Sequence, residues 1–158
     1  MSDMELHLHG EAAQEALGAR LAAACDGRVL IFLEGDLGAG KTTLTRGFLR
    51  GLGHQGAVKS PTYTLIEPYR IGQRRVYHLD LYRVADPGEL EYLGLRELLE
   101  EDAVLLIEWA ERGEGWLPQP DLRIRIRHAA GGRTLSLSAA TATGQRIISI
   151  LGKTSSFL

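Results

Sequence analysis

The stretch "EGDLGAGKTT", Glu34 to Thr43, constrains this chain more than any other. It follows directly on "RVLIFL", Arg28 to Leu33, a continuous apolar run of the kind a strand shows when both faces of its sheet are covered. Gly35, Gly40, Lys41 and Thr42 satisfy G-x-x-x-x-G-K-[ST]. Glycines let such a loop turn successive N–H groups inward, where a β-carbon would crowd a phosphate. Thr43 to Leu52 reads as the following helix, whose positive dipole end would face the same anion. Strand, glycine loop and helix in this order predict a phosphate-binding loop in an α/β fold.

The remainder of the chain fills out that fold. Met4 to Leu8 alternates as a short strand, and Glu11 to Cys25 places alanines and leucines at helical spacing. Tyr63 to Tyr69 and Arg75 to Leu81 flank "IGQ" and predict a hairpin. Asp86 and Pro87 predict a helix start, and that helix runs to about Leu99. "AVLLIEW", Ala103 to Trp109, is a second buried strand. Leu122 to Arg127 and Thr134 to Ser138 form a second hairpin across "AAGG", with a short helix or irregular tail beyond. The expected class is α/β: a single-domain P-loop NTPase fold over residues 1–158, with a mixed sheet, helices on both faces and antiparallel hairpins.

Composition narrows the setting. With 44% apolar and 24% charged residues the chain is of the globular kind, and its net charge of −2 gives no reason to expect a general nucleic-acid or membrane binder. Arg123, Arg125 and Arg127 alternate, a pattern that usually marks the solvated face of a strand and would also suit a docking surface for a phosphate-rich or acidic partner. Cys25 is the sole cysteine, which excludes an intrachain disulfide and thiolate metal clusters. No apolar run reaches the roughly 18 residues of a membrane span, so a cytoplasmic protein is expected.

A phosphate loop binds a nucleotide; hydrolysis also needs a carboxylate at the metal and a group that places water. Lys41 is suited to the β- and γ-phosphates, and the Thr42 hydroxyl to Mg²⁺. Asp80 in "VYHLDLY" and Glu108 in "AVLLIEW" end apolar strands, and strand C-termini face the ligand crevice of such sheets. Either carboxylate could reach the metal. Thr62 in "SPTY" lies about twenty residues beyond Thr42, a separation comparable to that of a switch threonine. His78 reads as a satisfied core or surface histidine, and Trp109 as core. Without an N-K-x-D stretch, ATP is favoured over GTP. These residues leave three functions open: an ATPase, a small-molecule kinase, and a nucleotide-sensing module without significant hydrolysis.

With "EGDLGAGKTT", "SPTYTL", "HLDLYR" and "LIEWAE" in that order, the chain resembles the bacterial TsaE family from about Arg28 to Glu111. The resemblance implies the ATPase component of tRNA threonylcarbamoyladenosine biosynthesis, a modification beside the anticodon. It implies ATP/ADP and Mg²⁺ as cofactors, with Gly35, Gly38, Ala39, Gly40, Lys41, Thr42 and Thr43 around the phosphates. Thr42 and Glu108 would bind the metal, Asp80 would assist at the metal or the water, and Ser60 to Thr62 would form a switch. Trp109 would be a functional neighbour. The implied partner is a TsaD–TsaB pair that transfers the threonylcarbamoyl group and is reset by ATP hydrolysis, with tRNA met only within that complex, no membrane, and a monomer when free. The family's hydroxyl before the first helix has no counterpart in "LHLHGEAAQ", so no base contact carries over.

Overall fold

The computed structural model describes residues 2–36 and 39–153. Its elements are β1 (Ser2–Leu8), α1 (Gly10–Ala24), β2 (Val29–Glu34), α2 (Lys41–Gly51), β3 (Ile66–Ile71), β4 (Arg74–Asp80), α3 (Glu89–Tyr92), α4 (Leu95–Glu100), β5 (Val104–Glu108), β6 (Leu122–Ala129), β7 (Gly132–Ala139) and α5 (Ala142–Lys153). The seven strands form one sheet in the order β1-β7-β6-β2-β5-β4-β3. The central four, β6, β2, β5 and β4, run parallel, while both hairpins and the β1 edge are antiparallel. The expected mixed sheet is therefore present, with the phosphate-loop strand β2 at its middle.

Helices lie on both faces. On one, α1, α2 and α5 cover a core that includes Leu17, Leu44, Phe48, Ile124 and Ile147. On the other, Leu90 and Leu95 of the α3 and α4 segment pack on Phe32, Leu79, Leu105 and Ile107. Burying each such leucine or phenylalanine contributes about 1.5–3 kcal/mol. The continuous apolar runs of β2 and β5 follow from this double cover, since every residue Val29–Leu33 and Val104–Ile107 meets a core. Cys25 belongs to the larger core; burial pushes its thiol up to about 12 against the opposing charge of Arg74, so it packs as a small apolar side chain.

The phosphate-loop helix is held unusually close to its neighbour. A β-carbon on Gly47 of α2 would come 2.6 Å from the Glu15 Cα of α1, and one on Gly18 of α1 would come 2.7 Å from the Phe48 backbone nitrogen. Only glycine permits this backbone contact.

Two sequence expectations need correction. The helix predicted from Pro87 to about Leu99 is two short pieces, because Gly94 adopts a left-handed conformation at φ +73° between them. Asp86 still accepts a hydrogen bond from the Gly88 N–H at 3.0 Å, as a capping residue does. The first hairpin is also shorter than expected: Tyr63 to Leu65 lie in a turn, Leu65 has φ +69°, and β3 begins at Ile66. The tail after β7 is a regular helix, α5, whose Ile147, Ile148 and Leu151 enter the core. Burial on β6 alternates, with Arg123, Arg125 and Arg127 exposed, so these arginines do occupy a solvated face.

Candidate functional site

The parallel strands β2, β4 and β5 all finish at one edge, where register pairs Leu33 with Glu108 and Asp80 with Glu108. The glycine loop leaves β2 at this edge and returns as α2. A cavity of about 310 Å³ opens here, lined among others by Gly35, Lys41, Trp109, Glu111, Arg125 and Arg127. Asp80 and Glu108 are each 6% exposed, so both carboxylates are almost wholly withdrawn from water. Such burial is costly unless each charge finds partners.

Glu108 has two. Its Oε1 lies 3.5 Å from Lys41 Nζ, and its Oε2 accepts a 2.6 Å hydrogen bond from His78 Nε2. An ionised carboxylate only accepts, so Nε2 carries the proton in this contact. Burial acts most strongly on Glu108 and raises its pKa. The hydrogen bond and charge of His78, joined by Lys41, outweigh burial and hold the carboxyl below its ordinary range. Asp80 is satisfied differently: its Oδ1 accepts from the Tyr82 backbone N–H at 2.9 Å, within its own segment.

Lys41 itself is buried, and its Nζ donates to the Gly35 carbonyl at 2.8 Å while lying 5.3 Å from the Trp109 ring centroid. Trp109 is the residue after Glu108, is half-buried, and adopts a left-handed conformation at φ +57° that turns the chain sharply into a 3-10 turn at Ala110–Gly113. Its ring packs on Tyr82 at 4.9 Å. The expectation that Trp109 is only core is thus incomplete, since it also borders the cavity.

The loop's glycines meet a tight cradle. Gly40 has φ +114°, and a β-carbon there would collide with the buried amide of Gln14 on α1. As N-cap of α2, Gly40 supplies no side-chain acceptor, so its N-terminal N–H groups are not capped by the residue before them. Ala39 is buried and its carbonyl accepts from Arg133 Nε of β7 at 3.0 Å. Thr42 is exposed on the first turn and Thr43 is buried. Gly38 lies outside the described residues.

The structure thus brings Lys41 and Glu108 into contact, with Asp80 in register beside Glu108 and Thr42 at the adjoining helix start. Thr62 stands apart: its hydroxyl meets that of Ser60 at 2.7 Å rather than Lys41, Asp80 or Glu108. Three residues of the site escaped sequence reasoning, namely His78, Gln14 and Arg133. For His78 a signal existed, because it precedes Asp80 by two positions on a strand and so shares its face. Gln14 and Arg133 reach the loop across 26 and 94 residues of chain, a juxtaposition no local pattern encodes.

Comparison with known proteins bears on this arrangement. The sequence model of a family described as "Threonylcarbamoyl adenosine biosynthesis protein TsaE" matches residues 8–135. The tRNA threonylcarbamoyladenosine biosynthesis protein TsaE of Haemophilus influenzae is 54% identical over 121 residues, 77% of each chain. That of Streptomyces coelicolor is 40% identical over 131 residues, covering 81% of this chain and 88% of its own. The crystal structure of Bacillus subtilis YdiB superposes with a TM-score of 0.82 at 31% identity, over 98% of this chain and 97% of that one. A family match across four-fifths of the sequence, with a relative 54% identical over 77% of the chain, places the chain in the TsaE family.

Proposed function

We propose that this chain is the ATPase component of tRNA threonylcarbamoyladenosine biosynthesis, and that it binds a TsaD–TsaB pair and resets it by hydrolysing ATP. The observation that carries the reading is the meeting of the loop lysine with a strand-end carboxylate, Lys41 Nζ to Glu108 Oε1, at the mouth of the glycine loop. A buried ammonium, uncapped N–H groups and Gly40 held at φ +114°, where a side chain would be strained, suit the phosphates of a nucleotide. The donor set suits Mg²⁺, which takes oxygen ligands, retains waters, and needs only one or two carboxylates besides phosphate.

Lys41 binds β- and γ-phosphate oxygens and gives up its contact with Glu108 as it does so. Thr42, Glu108 and Asp80 hold the metal. Bound there, Mg²⁺ neutralises the charge that develops on the phosphate oxygens. Gly35, Gly38, Ala39, Gly40 and Thr43 line the phosphates with backbone. Thr62 acts from the switch loop, where its pairing with Ser60 is exchanged for the γ-phosphate, so that loss of this phosphate is relayed to the partner surface. Trp109 roofs Lys41 and excludes water from the ammonium.

The test is ATP hydrolysis by the purified chain, alone and with a TsaD–TsaB pair. Stimulation by the pair is expected, lost in both Lys41→Ala and Glu108→Ala, with nucleotide affinity falling first in Lys41→Ala. Hydrolysis unaffected by the pair, together with transfer of labelled γ-phosphate to a metabolite, would replace this reading with a small-molecule kinase.

A further inference from the structure

The roles proposed above employ Lys41, Thr42, Asp80 and Glu108, and leave His78 without one. This side chain is 2% exposed on a central strand, between core residues Val76 and Leu79 in the sequence. A leucine would fill such a position without burying a polar ring. What the imidazole adds is a directed N–H. Register sets His78 opposite Leu106, so Glu108 is its diagonal neighbour on the same face, and the 2.6 Å bond to Oε2 spans that diagonal.

The two oxygens of Glu108 are gripped unequally. His78 holds Oε2 at 2.6 Å, whereas Lys41 lies 3.5 Å from Oε1 and has a nearer partner in the Gly35 carbonyl at 2.8 Å. An anion that draws Lys41 away competes for one oxygen and leaves the other untouched. The terminal torsion of a glutamate is soft and roughly two-fold, so without a fixed oxygen the released carboxylate would turn. We propose that His78 is a positioning residue: it pins Oε2 of Glu108 throughout, so that Oε1, once Lys41 turns to phosphate, keeps the direction in which it now faces Lys41 and stays an acceptor of fixed direction. The inference rests on the ATPase reading and deepens it, giving Glu108 a pivot.

The experiment compares the parent with His78→Leu, which keeps volume and removes the donor, and His78→Gln, whose amide nitrogen reaches about where Nε2 lies. Misplacing a reacting or ligating group by about 1 Å costs on the order of a hundredfold. The partner-stimulated kcat for ATP is therefore expected to fall about 10- to 100-fold in His78→Leu. Its KM stays within about twofold, and His78→Gln recovers most of the loss. A readout independent of turnover comes from the parent labelled with ¹⁵N-histidine: the hydrogen-bonded His78 Nε2–H resonance should persist when Mg²⁺ and ADP are added, and should be absent in Glu108→Ala. An unchanged kcat in His78→Leu overturns the inference. So does a His78→Gln as impaired as His78→Leu, or loss of the bonded resonance on adding Mg²⁺ and ADP. A parent that neither binds nor hydrolyses ATP would overturn the ATPase reading itself, and the pivot with it.

Discussion

The ends of β4 and β5 carry one carboxylate each, in register and equally buried, yet the two sites are built differently. Asp80 is tied by a backbone N–H two residues ahead in its own chain segment. Glu108 is tied by side chains from elsewhere, Lys41 of α2 and His78 of β4. A local tie fixes a carboxylate wherever the strand goes, whereas a tie to a phosphate-loop lysine is broken whenever that lysine finds a better anion. On the proposed reading, the difference gives Asp80 the static part of the site, while the Lys41 contact of Glu108 is the one a nucleotide would exchange.

The largest expected effect that would sharpen this contrast is on hydrolysis. Glu108→Ala should lower partner-stimulated turnover about 10³-fold, the scale of losing a key electrostatic group, and steady-state phosphate release with the TsaD–TsaB pair measures it. Asp80→Ala should cost less, about 10- to 100-fold in the same assay, because one of its oxygens already serves the Tyr82 N–H. Equal losses would erase the distinction. In the nucleotide-free protein Asp80→Ala leaves that N–H without its acceptor and should destabilise by about 1 kcal/mol in urea unfolding at neutral pH.

The smallest effect is a slope. The folded Glu108 carboxyl lies below its ordinary value of 4.5, so the unfolded chain binds the extra proton as acid is added. Stability from Glu108 is then complete above that value and is lost as pH falls through the lower folded one. Unfolding midpoints of Glu108→Gln should decline less steeply than the parent's on the acid side, and parallel curves would place the charged group elsewhere.

Much of this was readable from the chain, for a physical reason. The phosphate loop, the buried β2 and β5, and the β6–β7 hairpin are written in contiguous residues whose spacing is their geometry. Lys41 and Glu108 were recognisable because a loop motif and a strand end each carry their own signature. Their contact was not, since it depends on how α2 lies over β5. His78 read as core because a lone histidine on an apolar strand usually is, and it is indeed buried; its bond to Glu108 follows from the β4–β5 register, which single-strand periodicity does not contain. The broken helix at Gly94 was missed because the leucines on both sides keep helical spacing across the break.

One further consequence follows from the seam where Gly18 and Gly47 bring α1 and α2 into backbone contact. Helices separated by side chains can shear past one another as rotamers change, but two bare backbones have nothing to yield. α1 and α2 should therefore ride as one rigid plate, which on the proposed reading is the floor beneath the phosphates. On that reading, movement set off by a lost phosphate would be taken up above the plate, by the loop carrying Ser60 and Thr62 and by the sharp corner at Trp109. On that reading the molecule would work as an anvil with a moving hammer, and a partner that senses it would have only the hammer side to read.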